Sequence, residues 1–165
     1  MVTLLGIPIF AVLTVLQSAI ISRLNVAYGT ADLILLVLLA WALQSPNKQA
    51  LWWAFIAGIF VSVITAAPFY SVIAGYLLAT VLAIVLRGRL WNIPILTMVL
   101  LTFVGSMILL LSTYVGISFS KANLPFSTSF TKIILPSCVL NMFLGLPIFL
   151  IIKDLVDWIY PKEYE

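Results

Sequence analysis

Any chemistry on this chain has to come from very few side chains. Histidine is absent and cysteine occurs once, at Cys138. That excludes imidazole or thiolate zinc sites, Ser/His/Asp and Cys/His nucleophilic sets, and a disulfide framework. Cys138 lies in an apolar run and reads as a small buried side chain. Neither of the glycine patterns that cradle phosphate, G-x-x-x-x-G-K-[ST] or G-x-G-x-x-G, occurs. The five Asp and Glu residues stand outside the long apolar runs or at their edges, so no carboxylate pair lies in mid-membrane to mark a proton or ion path. Two polar residues stand out. Asp32 opens the second apolar run beside Thr30, where its carboxyl group can accept from the free amides of a helix start and sit on the positive end of the helix dipole. Arg23, nine residues earlier, is a candidate ion-pair partner for it. Asn141 is the most polar side chain in the middle of a run, and leaving its amide unpaired in hydrocarbon costs several kcal/mol, so it reads as hydrogen-bonding glue between helices. This inventory predicts no catalytic residue, no metal site and no cofactor.

The elements that must hold these residues follow from composition. Of 165 residues, 64% are apolar and 8% charged, against about a quarter charged in soluble domains. That is the composition of an integral membrane protein. The formal charge of +3 is scattered and forms no basic stripe, which argues against nucleic acid as a partner. A helix needs about 20 apolar residues to cross the hydrocarbon. Searching for such runs predicts one all-α domain over 1–165 with six transmembrane helices at 4–21, 27–43, 51–66, 69–86, 93–113 and 133–152. An outer loop fills 114–132 and a cytoplasmic tail 153–165. The second helix can begin as late as Asp32, and the second and third are short for a full crossing. Ser45-Pro46-Asn47, Pro68, Arg87-Gly88-Arg89 and Pro94 punctuate the runs. The first run lacks a basic leading segment and a small-residue cleavage site, so it reads as a retained crossing.

Six crossings put both termini on one side. Lys48, Arg87, Arg89, Lys153 and Lys162 then face Arg23, Lys121 and Lys132 across the membrane, which favours both termini in the cytoplasm by the positive-inside rule. Trp41, Trp52, Trp53, Trp91 and Trp158 all fall at predicted cytoplasmic helix ends, as an interfacial belt would, and Tyr28, Phe69, Tyr70 and Tyr114 mark the outer boundary. In the tail, Leu155, Trp158 and Ile159 share a helical face while Lys153, Asp154 and Asp157 do not, predicting a last turn lying in the interface.

Helices in lipid gain little from burying apolar surface, so small residues and interhelical hydrogen bonds must hold them together. Ala54, Gly58, Ser62 and Ala66 recur every four residues in the third helix, and Ser71, Gly75, Ala79 and Ala83 do so in the fourth. The two ridges, joined at Ala67-Pro68, are expected to pack on each other as a close antiparallel hairpin, or to offer one ridge to a partner's transmembrane helix. Thr14, Ser18 and Ser22 line a face of the first helix. Ser137, Asn141 and Gly145 line a face of the sixth.

The whole chain resembles the MreD family of rod shape-determining membrane proteins. The residues that carry the likeness are Ala31-Asp32-Leu33-Ile34-Leu35-Leu36, similar to the family's Pro-Asp-Leu followed by aliphatics, and Ala54-Phe55-Ile56-Ala57-Gly58-Ile59-Phe60-Val61-Ser62, similar to its Phe-x-x-Gly-x-x-x-Asp stretch, closed by Pro68 and the small-residue helix around Gly75. Ala31 stands where the family has proline, and Ser62 where it has a second acid. The resemblance implies a fold similar to the substrate-binding subunits of energy-coupling-factor transporters. It also implies a non-catalytic role as a membrane scaffold of bacterial cell elongation in the plasma membrane, bound to the single-pass protein MreC and through it to the MreB filament, RodA and a penicillin-binding transpeptidase. The fold kinship supplies a rival expectation, a vitamin- or metal-binding subunit of an energy-coupling-factor-type transporter. Those subunits usually carry an early Ala-x-x-x-Ala docking pattern, where this chain has Thr14, Ser18 and Ser22.

Overall fold

The computed structural model describes residues 2–19, 28–44, 49–87, 94–120 and 125–159. Among these every element is a helix: α1 (Val2–Ala19), α2 (Leu33–Gln44), α3 (Ala50–Ile64), α4 (Phe69–Arg87), α5 (Pro94–Phe119) and α6 (Phe126–Ile159). Three of them, α4, α5 and α6, are long and apolar enough to cross a membrane, while α1 to α3 contribute shorter apolar helices.

The centre of the bundle is α2. Its sequence is apolar on every side, which suits a helix surrounded by others rather than one with a wet or lipid face. Each residue from Ile34 to Leu43 is buried, and α2 packs against all five other helices. With 12 residues at 1.5 Å each it is only about 18 Å long, shorter than α4 to α6, and its start lies beside the middle of those helices, at Tyr76, Ser106 and Asn141. Non-helical backbone at such depth is tolerated only where protein satisfies its polar groups. That requirement dictates what surrounds Asp32.

Several boundaries differ from the sequence expectation, each for a physical reason. The second helix does not start at 27: residues 28–32 are non-helical, because their backbone is bonded to α6 side chains instead of to itself. α3 ends at Ile64, with Thr65 extended at φ −105°, ψ 147°, since Pro68 pushes the residues before it out of helical conformation. Ala66 therefore lies outside the helix and is exposed. α5 runs to Phe119, six residues into the stretch expected to be loop; Val115 and Ile117 continue its apolar pattern, and Ser118 and Ser120 fold back onto the carbonyls of Tyr114 and Gly116. α6 is longer at both ends, taking in 126–132 and 153–159 of the expected loop and tail. Near its start, Phe130–Ile134 is π-helical, with the Leu135 amide bonded to the Phe130 carbonyl. The wider turn sits directly before Pro136, whose ring would otherwise press on the carbonyl four residues back and which has no amide to donate.

α3 and α4 pack together as the expected hairpin, but not ridge against ridge, because α5 joins them in a three-helix arrangement. Gly58 does meet α4: a Cβ there would lie 3.0 Å from the Ile73 Cα. The α4 ridge, however, faces α5. A Cβ on Gly75 would lie 2.7 Å from Leu109 Cδ1 and 3.1 Å from its Cα. The Ser112 hydroxyl donates to the Ser71 carbonyl at 2.8 Å, and Gly116 lies against the Ser71 side chain. Ser71, Gly75, Ala79 and Ala83 are all buried. Of the α3 ridge only Ala54 and Gly58 are buried, while Ser62 is partly exposed and turns its hydroxyl back to the Ile59 carbonyl. One ridge cannot face two neighbours, and α4 lies between α3 and α5.

The tryptophans divide as well. Trp52 and Trp158 are 64% and 80% exposed, but Trp41 and Trp53 are 1% and 2% exposed. Their rings stack at 4.4 Å, and Phe10 meets Trp53 edge-on at 5.7 Å, so this pair ties α1, α2 and α3 together at the C-terminal end of α2. Trp91 lies outside the described residues.

Candidate functional site

The polar side chains of the bundle converge on the start of α2. Asp32 is its N-cap: Oδ1 accepts from the Leu35 amide at 2.9 Å, and the Asp32 carbonyl accepts from Leu36 at 3.1 Å, the arrangement that satisfies helix-start amides. The remaining amides go to other helices. Ile34 donates to Gln17 Oε1 of α1 at 3.2 Å. The Asp32 amide donates to Asn141 Oδ1 of α6 at 2.8 Å, and the Thr30 amide donates to Ser137 Oγ one turn earlier on α6 at 3.0 Å. Asn141 Nδ2 in turn donates to Ser106 Oγ of α5 at 2.8 Å. From α4, the Tyr76 hydroxyl donates to Asp32 Oδ2 at 2.6 Å. A single short segment, 30–35, is thus bonded to α1, α4 and α6, and through Asn141 to α5.

Backbone approach makes this possible. A Cβ on Gly29 would lie 2.6 Å from the Ser137 amide nitrogen and 2.7 Å from Pro136 Cβ, so only glycine lets the chain pass close enough for Thr30 and Asp32 to reach Ser137 and Asn141. On α6, Ser137, Asn141 and Gly145 share one face and are buried. The first two bond to the 30–32 segment. Gly145 receives Thr102 of α5, whose Cγ2 a Cβ would meet at 2.8 Å. Cys138, next to this face, is buried and free. On α1, Thr14 and Ser18 bond back to carbonyls of their own helix; Ser22 and Arg23 lie outside the described residues.

Asp32 and Asn141 were read from the sequence singly, one as a cap and one as glue. In the structure they are neighbours, 2.8 Å apart through the Asp32 amide. Tyr76, Ser106, Gln17 and Gly29 were missed. Tyr76 had a readable signal, because a tyrosine in the middle of an apolar span must find a partner for its hydroxyl; Ser106 and Gln17 carry the same signal more weakly. The packing residues Ala54, Gly58, Ser62, Ala66, Ser71, Gly75, Ala79 and Ala83 are not part of the hub. Among the described residues no group of His, Cys, Asp or Glu is placed to hold a metal ion. Of the interior polar atoms, the indole nitrogens of Trp41 and Trp53 and Gln49 Oε1 are buried without a hydrogen-bond partner.

No family model, no curated protein and no solved structure matches the chain.

Proposed function

We propose that this protein is a non-catalytic membrane scaffold of the bacterial cell-elongation machinery, a member of the MreD family that crosses the plasma membrane six times with both termini in the cytoplasm and binds a single-pass MreC-like protein. The observation that carries the reading is the hub at Asp32. Its polar side chains are spent within the bundle: Asp32 on Leu35 and Tyr76, Gln17 on Ile34, and Asn141 on Asp32 and Ser106. A network of that kind fixes the relative positions of helices, which is what a scaffold requires. It is built around the same Asp32 that carries the likeness to the family. The six crossings are supported by three long and three shorter apolar helices, of which α2 is sheltered by its neighbours. The partner's helix would gain contact by van der Waals packing rather than by apolar transfer.

The test is co-purification with a tagged MreC-like single-pass protein from a common membrane. A stable complex is expected, together with loss of rod shape when the gene is depleted. Absence of a complex, combined with thermal stabilisation of the purified protein by thiamine, riboflavin, biotin or a divalent metal, would overturn the scaffold reading in favour of a transporter subunit.

A further inference from the structure

Four of the five acids in the chain, Asp154, Asp157, Glu163 and Glu165, fall in its last thirteen residues, and nothing in the scaffold reading uses them. Two of them stand on the described end of α6. Lys132 and Lys153 bracket an uncharged stretch of twenty residues, about 30 Å of helix, which matches the hydrocarbon thickness. α6 continues past Lys153 to Ile159 without a break. Ile152, Val156 and Ile159 pack onto the body of the bundle, so this end is held rigidly. At about 100° per residue, Ile151, Leu155 and Trp158 form a different face, exposed at 66%, 38% and 80%. Asp154 and Asp157, both exposed, border that face on the side away from the bundle.

We propose that the acid-edged apolar face past Lys153, formed by Leu155 and Trp158 and flanked by Asp154 and Asp157, docks a basic amphipathic segment of a protein partner at the cytoplasmic surface. The choice of occupant rests on charge. Helices that lie in the membrane surface carry Lys and Arg beside their apolar face, and the cytoplasmic leaflet is negatively charged and draws cations towards it. Two aspartates at this edge are repelled by that leaflet. They complement a segment with Lys or Arg bordering apolar residues at helical spacing, the mode in which one helix seats on another's apolar face. The inference rests on the cytoplasmic placement of the C-terminus in the proposed function.

The test uses the full chain in phosphatidylcholine nanodiscs and, as probe, a synthetic helical peptide with one leucine face and one lysine face. Binding above that to empty discs is expected, weakened about tenfold by Asp154→Asn with Asp157→Asn and separately by Leu155→Ser with Trp158→Ser, and weakened by salt, as for steered charge pairs. The fluorescence lost in Trp158→Phe should be insensitive to brominated lipid. Unchanged peptide affinity in both variants would overturn the proposal. Quenching of Trp158 by brominated lipid would overturn it too, by making lipid the occupant. Labelling of Glu165→Cys by an impermeant reagent from outside the cell would overturn the orientation and the leaflet argument together. Labelling only after permeabilisation, with peptide affinity unchanged in the variants, would overturn the docking face alone.

Discussion

Removing the Tyr76 hydroxyl isolates the hydrogen bond that joins α4 to the start of α2. Tyr76 is fully buried, and Tyr76→Phe keeps the ring and its packing, so no cavity is made and the volume-dependent cost of large-to-small changes does not enter. What is lost is one short donor, 2.6 Å from Asp32 Oδ2. Bonds to ionisable acceptors contribute about 1.5–3 kcal/mol in soluble proteins, whereas interhelical pairs inside a membrane average about 0.6 and reach about 1.7 kcal/mol. Asp32 keeps its bond to Leu35 in the variant, which argues for the membrane range, and the short distance argues for its upper end. A loss of about 1–2 kcal/mol is expected. The assay is reversible unfolding in mixed micelles, followed by tryptophan fluorescence, as a double-mutant cycle with Asp32→Asn, which preserves the cap because asparagine caps as well as aspartate. Coupling near 1 kcal/mol supports the bond. A Tyr76→Phe variant within about 0.3 kcal/mol of the parent, with no coupling to position 32, would refute the claim that the hub holds α4 to α2.

Asn141→Ala should destabilise the same transition by about 2–3 kcal/mol, because it strands the Asp32 amide and removes a partner of Ser106; a value under about 0.5 kcal/mol would count against the hub. Gly29→Ala should cost more than Gly145→Ala. The first presses its methyl on the Ser137 amide and the Pro136 ring, which cannot move apart, and the second meets only the methyl end of Thr102; equal unfolding midpoints would contradict the close approach at Gly29. Trp41→Ala should cost about 3–5 kcal/mol as a large buried deletion, while Trp52→Ala, on the exposed neighbour of Trp53, should stay within about 0.5 kcal/mol. Similar losses in the two would restore Trp41 to an interfacial belt.

The sequence made the helices legible where punctuation is covalent. Pro68 marks the start of α4, because its fixed φ suits a first helical turn and unsuits the residues before it. α2 was legible as an apolar run short for a crossing, but not as the buried helix at the centre of the bundle. Boundaries set by partners were not legible either. The sequence leaves the start of the second helix between 27 and Asp32, and the non-helical course of 28–32 is fixed by Ser137 and Asn141, more than a hundred residues away, which take its amides. Small-residue spacing likewise identified the faces that approach closely but not their neighbours: Gly75 meets α5 rather than α3, a choice made by the order of helices around α2 rather than by anything local to α4. The tryptophans misled for a related reason. A tryptophan near a helix end faces outward only if no other helix covers it, and Trp41 is covered by Trp53 of α3.

The short length of α2 makes its two ends the points on which the bundle depends. A long crossing helix can slide or tilt in lipid with little penalty, since its flanks meet water at either end. α2 has no such freedom. At its start, hydrogen bonds to α1, α4 and α6 replace the water its amides would otherwise need. At its end, Gln44 donates to the Phe149 carbonyl of α6 at 3.2 Å, and the Trp41–Trp53 stack joins α3 and, through Phe10, α1. Displacing any one of these neighbours would leave polar backbone unpaired at membrane depth, a cost of several kcal/mol per group. The helices around α2 are therefore held in one arrangement by groups that have no other task. In such a bundle the outer faces are the parts open to variation, and the acid-edged end of α6 is the one whose charge differs in sign from the surface it is proposed to meet.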